Sequence, residues 1–167
     1  TMMLSLILLA PEVSLDRILA LSERPGWELV HDVMPGAYNH RALVWLVEGD
    51  QGRVTYLEDA HFYTRTIMVE GPARDLLETQ LRATFAQLDP EELFARIQRE
   101  ADPVEAASAL FATTPLVAPD EHDPAYEALL AELLGHEQTP EPLARAAAMV
   151  AEWLAWPQLR EPLEAAT

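Results

Sequence analysis

Four helix starts of one kind punctuate the carboxyl-terminal half of this chain: Asp89-Pro90, Asp102-Pro103, Asp123-Pro124 and Thr139-Pro140. At such a start an acidic or hydroxyl side chain accepts a hydrogen bond from an amide in the first turn. The proline that follows is pre-set to the helical φ and has no amide to leave unsatisfied. The text between the starts is rich in alanine and leucine. It predicts helices over residues 90–100, 104–113, 125–134 and 140–156, with Gly135 as a stop and a last short helix after Pro157. A series of this kind stacks, and stacked helices commonly present a surface to another macromolecule.

The amino-terminal half has a different period. Residues 4–9 form a continuous apolar run, as in a strand covered on both faces. Ser14 is placed to cap a short helix carrying Leu15, Ile18 and Leu19, which Pro25-Gly26 ends. Residues 27–33 alternate, with Trp27, Leu29 and His31 on one face. Residues 43–47 and 54–57 are strands joined by the turn-forming residues 48–52. Residues 61–69 read as a further strand, with His61, Tyr63, Arg65, Ile67 and Val69 on one side. After Gly71-Pro72 a helix carries Leu77, Leu81, Phe85 and Leu88 on one face. The expected fold class is α+β: a small, mainly antiparallel sheet with two helices over residues 1–88, then an all-helical part over 89–167. A ferredoxin-like arrangement is one candidate for the first part.

In the second part the segments Asp102-Pro103-Val104-Glu105-Ala106-Ala107-Ser108-Ala109-Leu110 and Thr139-Pro140-Glu141-Pro142-Leu143-Ala144-Arg145-Ala146-Ala147-Ala148-Met149 lie 37 residues apart. Each resembles the start of the second helix of a HEAT-type (armadillo-like) repeat, whose period is about 40 residues. Arg145 stands roughly where that family often has an arginine bonding to a neighbouring turn, while Glu105 or Ala106 stands there in the first copy. The resemblance covers two units and implies stacked helical hairpins.

Charge narrows the partners. The net charge is −17, and all eleven basic residues are arginine. Arginine without lysine, beside so much alanine, leucine and proline, points to a GC-rich bacterial genome. Residues 1–88 hold 12 acids and 7 arginines, a net of −5, whereas residues 89–167 hold 16 acids and 4 arginines, a net of −12. Such a surface repels nucleic-acid phosphates and anionic lipid, and suits a basic protein. Keeping an apolar chain in solution is the plainer use of the same charge. Cysteine is absent, which removes disulfides, thiolate metal sites and cysteine nucleophiles and is compatible with a cytoplasmic location. The apolar run over residues 2–10 is too short to span a bilayer and lacks the basic residues of a signal peptide.

No catalytic motif stands out. The four serines have no nucleophile-elbow context, the six glycines form no phosphate loop, and there is no lysine for one. No cofactor is expected. His31, His40 and His61, with Asp32, Glu58 and Asp59 nearby in sequence, lack the spacing of a metal site. The expected function is therefore a non-enzymatic interaction module of adaptor, inhibitor or immunity type. It would bind a basic protein through Asp120, Glu121 and Asp123 of an acidic loop, with Trp153 and Trp156 as aromatic anchors. The alternative is a sensor of a small anion or metal that uses His31, His61, Tyr63 and Arg65. A third use is pairing of two copies through a sheet edge or the terminal helix.

Overall fold

The computed structural model describes residues 4–36 and 41–166. His40 lies outside them. The chain divides into two compact units, residues 1–88 and 89–167.

The first unit runs β1 (Ser5–Leu8), α1 (Leu15–Leu19), a 3-10 turn (Ala20–Glu23), β2 (Trp27–Val33), β3 (Arg41–Val47), β4 (Gly52–Asp59), β5 (Thr64–Glu70) and α2 (Arg74–Thr84). The five strands form one antiparallel sheet in the order β1-β5-β4-β3-β2. β1 pairs with β5, so the chain crosses the whole sheet between β1 and β2, and α1 and the 3-10 turn carry it across. Four consecutive strands then meander back. A ferredoxin-like order needs a second helix between the strands, and among the described residues none interrupts β2 to β5.

One sheet face carries the core. Ile7, Ile67, Tyr56 and Leu43 form a cross-strand row, and Val69, Val54 and Trp45 form the next. Ile18 and Leu21 from the crossover and Leu77, Leu81 and Phe85 from α2 close over them. The Trp45 indole Nε1 donates to Ser22 Oγ at 2.8 Å, which satisfies its one polar atom inside the core. Gly71, at φ +106°, turns β5 into α2. A Cβ there would meet the Gln51 carbonyl oxygen at 2.8 Å, so only glycine fits.

The end of β1 is covered on its free side, where Leu88 N donates to Leu8 O and, just beyond the strand, Ala10 N to Ala86 O. β2 forms the other edge and carries a bulge between Leu29 and His31. The bulge twists the strand and breaks its row of amides, which hinders edge pairing with a second copy.

The second unit runs α3 (Pro90–Arg99), α4 (Pro103–Ala112), a 3-10 turn (Thr114–Leu116), α5 (Pro124–Gly135), α6 (Glu141–Leu154), a 3-10 turn (Pro157–Leu159) and α7 (Arg160–Ala166). Asp89, Asp102 and Asp123 cap α3, α4 and α5 by accepting from the amides of Glu91, Val104 and Tyr126. Thr139 does not cap α6. Pro140 takes that position with no side-chain bond. Pro142 occupies the second helical position and has no amide, which removes a bond that a capping threonine would accept. α5 runs through Gly135, beyond the expected stop. α4 packs against both α3 and α6, and α5 against α6 and α7. The small Ala106, Ala107 and Ala109 on α4 and Ala146, Ala147 and Ala151 on α6 are buried and let helix axes come close. Among the described residues no helix is long and apolar enough to cross a membrane.

Candidate functional site

The acidic loop lies between the Thr114–Leu116 turn and α5. A backbone bond from Glu121 N to Ala118 O (3.1 Å) closes a tight turn and leaves Pro119 and Asp120 exposed at its tip. The far end of α6 holds this loop. Ala155 takes the left-handed conformation (φ +53°), which ends the helix and swings Trp156 back. The Trp156 Nε1 then donates to the Pro119 carbonyl at 3.0 Å. The His122 ring meets the indole edge-on, 5.3 Å between centroids, and its Nε2 bonds to Glu127 on α5.

The five residues singled out in the sequence thus divide. Asp120 and Glu121 are displayed to solvent. Asp123 is occupied in capping α5. Trp156 is 5 % exposed, and its ring fastens the loop rather than standing free. Trp153 is half-buried on α6, one turn beyond Met149, which is 43 % exposed. His122 is exposed, as its place in a polar loop suggests, and its ring also stands between Trp156 and Glu127. Its five-residue separation from Glu127 across a helix start is the one signal that could have shown this.

An open groove of about 620 Å³ borders Trp156. Ala151, Leu159 and Leu163 share its wall with the indole, and Glu152, Arg160 and Glu164 stand along it. The groove exists because Pro157 and the 3-10 turn fold α7 back onto α5 and α6. A smaller cleft of about 240 Å³ lies in the loop itself, between Leu116, Val117, Glu121, His122 and Asp123.

Most acids of this unit have local work. Besides the three caps, Glu91, Glu92, Glu105, Glu127, Glu141 and Glu161 sit in first turns, where they complement the helix dipole. Glu92 and Glu141 also pair with Arg96 and Arg145 one turn on. Asp120, Glu121, Glu132, Glu137 and Glu152 are exposed, cap nothing and pair with no arginine among the described residues.

His31, His61, Tyr63 and Arg65 do not converge. The bulge in β2 sets His31 opposite Val44, on the face away from Trp27 and Leu29. β5 starts at Thr64, so His61 and Tyr63 belong to the turn between β4 and β5. Asp59 Oδ1 accepts from His61 N at 2.7 Å to start that turn, and Tyr63 ends it at φ +58° and 89 % exposed. Arg65 alone reaches the core face. It donates to the Ala10 and Pro11 carbonyls, both at 3.1 Å, opposite Glu58. Beside it Tyr56 donates to Glu58 Oε1 at 2.6 Å. Burial, and then the Glu58 bond, push the Tyr56 phenol up to about 12. Among the described residues no group of three histidines and carboxylates could hold a metal ion.

Comparison with protein families, with curated proteins and with solved structures finds no match. The site therefore rests on its own geometry.

Ala155 offers a direct check of that geometry. It is exposed and left-handed, a conformation that strains any residue with a Cβ. Ala155→Gly is expected to raise unfolding stability by about 0.5–1 kcal/mol, read from the midpoint of urea denaturation. A loss of stability would contradict the assigned helix end.

Proposed function

We propose that this chain is a non-enzymatic interaction module whose helical unit binds a basic segment of a partner protein. The observation that carries this reading is an apolar groove with unpaired acids close by. Half-buried Leu163 supplies apolar surface over a floor of buried Leu159 and Trp156, Glu152 stands beside it, and Asp120 and Glu121 project from the loop that Trp156 holds. A segment presenting aliphatic side chains flanked by arginine or lysine matches that pattern. Arg160, also on the groove, favours a segment that carries one acid among its basic residues.

The helical part reads as two HEAT-like hairpins, α3/α4 and α5/α6. The packing of α4 on both α3 and α6 supports this, because second helices of successive repeats stack on one another. Adaptor, inhibitor and immunity-type roles in the cytoplasm all use such a surface. A stable complex would bury at least roughly 1,000 Å², so the groove would be the centre of a larger contact.

Affinity capture from a lysate of the source organism tests the reading, with wild type and with Asp120→Asn/Glu121→Gln/Glu152→Gln compared at low and high salt. Exposed charges are screened beyond about 10 Å at 0.1 M salt. The expected result is one stoichiometric basic protein that wild type retains at low salt, releases at high salt, and the variant fails to hold. A partner held equally by both proteins, or no partner at either salt, contradicts the proposal.

A further inference from the structure

The first unit contains a concave feature with the opposite charge. Arg17, Ala20, Leu21, Arg24, Thr84 and Phe85 line a cavity of about 190 Å³. No acid lines it, although the chain carries 28 acids against 11 arginines. Neither Arg17 nor Arg24 has a carboxylate within ion-pair distance among the described residues.

Both guanidinium groups are held in place from behind. Arg17 Nη2 donates to the Thr84 carbonyl at 2.7 Å, at the end of α2, and its guanidinium lies 5.3 Å from the centre of the Phe85 ring. Arg24 Nη2 donates to Thr84 Oγ1 at 3.1 Å, and its guanidinium lies 5.4 Å from the centre of the Trp27 ring. The Thr84 hydroxyl in turn donates to Gln80 O, so Thr84 is a positioning residue. Closing the end of α2 explains one N–H bond from each arginine. A guanidinium has five N–H donors in a planar fork, so most donors on both remain for something else. A cation–π contact with an aromatic ring helps hold each guanidinium without consuming those donors.

We propose that Arg17 and Arg24 form a binding site for a phosphate group. Two preset forks on an apolar floor of Leu21 and Phe85 are the chemistry that recognises a tetrahedral oxyanion bidentately. The cavity is smaller than the ~300–1,000 Å³ of pockets that enclose whole ligands. It therefore takes free phosphate, or the phosphate of a small metabolite whose remainder stays outside. This site lies in the other unit from the acidic groove, and the two proposals stand or fall separately.

Calorimetric titration of the full chain with inorganic phosphate at fixed ionic strength is the test, with sodium acetate as the carboxylate control and glycerol 3-phosphate as the ester. One saturable phosphate site is expected. Arg17→Gln and Arg24→Gln should each weaken it at least about tenfold, as loss of a charge-assisted bond does. Arg53→Gln, on an exposed β4 position outside the cavity, should leave it unchanged. Tighter binding of the ester assigns a phosphorylated metabolite, and equal binding assigns free phosphate. If a glutamine variant fails to fold, the arginine Nε–H resonances of wild type decide: phosphate should move those of Arg17 and Arg24 and spare the rest. No saturable phosphate binding, an equal response to acetate, or unchanged affinity in both variants would overturn the site.

Discussion

Trp156→Ala is expected to destabilise the helical unit by roughly 3–5 kcal/mol, the usual range for removing a buried tryptophan. The indole is 5 % exposed, so nearly all of its apolar surface is lost from the unit. The substitution also removes the bond to the Pro119 carbonyl and the ring against which His122 stands. Loop 117–123 should then detach from the end of α6. Trp156→Phe separates the two effects. It keeps most of the ring and loses the donor, which should cost about 1 kcal/mol because Pro119 is exposed and its carbonyl can turn to water. Denaturant unfolding followed by circular dichroism measures both values. Limited proteolysis should cut the alanine variant within 117–123 before any other site. An alanine variant within about 1 kcal/mol of wild type would mean that the indole does not hold the loop.

Alkaline pH is expected to destabilise the protein through two buried phenols. Burial pushes Tyr126 from 10.0 up to about 12, and Tyr56 likewise. Between pH 10 and 12 an unfolded chain releases these protons while the folded chain retains them. The folded state then binds more protons, so stability falls as pH rises through that window and is unaffected below it. For Tyr126, 3 % exposed, the loss approaches roughly 2–3 kcal/mol near pH 12, at ~1.4 kcal/mol per pH unit. Tyr56 contributes less, since its hydroxyl lies beside half-buried Glu58 and Arg65, where water screens the charge. Urea midpoints below pH 10 and near pH 12 should fall steeply in wild type and less in Tyr126→Phe. That variant forfeits the 3.0 Å contact with Thr113 Oγ1 at every pH, which lowers its midpoint overall without adding pH dependence. Parallel pH profiles for the two proteins would show that the Tyr126 phenol is not the group responsible.

The α+β class was legible because it follows from local periods: the alternation of residues 27–33 and the apolar spacing of Leu77, Leu81 and Phe85 are properties of single elements. The aspartate caps were legible for the same reason, since each acts on an amide two or three residues away. Thr139 shows where such reading stops: α6 starts one residue later than the Thr-Pro pair implies, with Pro140 at the cap position, and Pro142 removes one of the two amides that a threonine at 139 could have used. The bulge at Leu29/His31 left no trace in sequence, yet it moved His31 to the other sheet face. The alternation of His61, Tyr63 and Arg65 ran unbroken through a turn, where the positive φ of Tyr63 breaks the period. The acidic loop could be named from its composition alone. Its attachment to Trp156 and the groove beyond could not, because both depend on α7 folding back after Pro157, a tertiary event without a local signature. Arg17 and Arg24 escaped notice because Thr84, which brings them together, lies 60 or more residues away.

Hydrogen–deuterium exchange of the full chain, alone and with the captured basic partner, locates the binding surface. Protection is expected in residues 117–123 and 151–164, with the sheet of the first unit unchanged. Protection confined to residues 5–88, or spread evenly over the acidic helices, would contradict it.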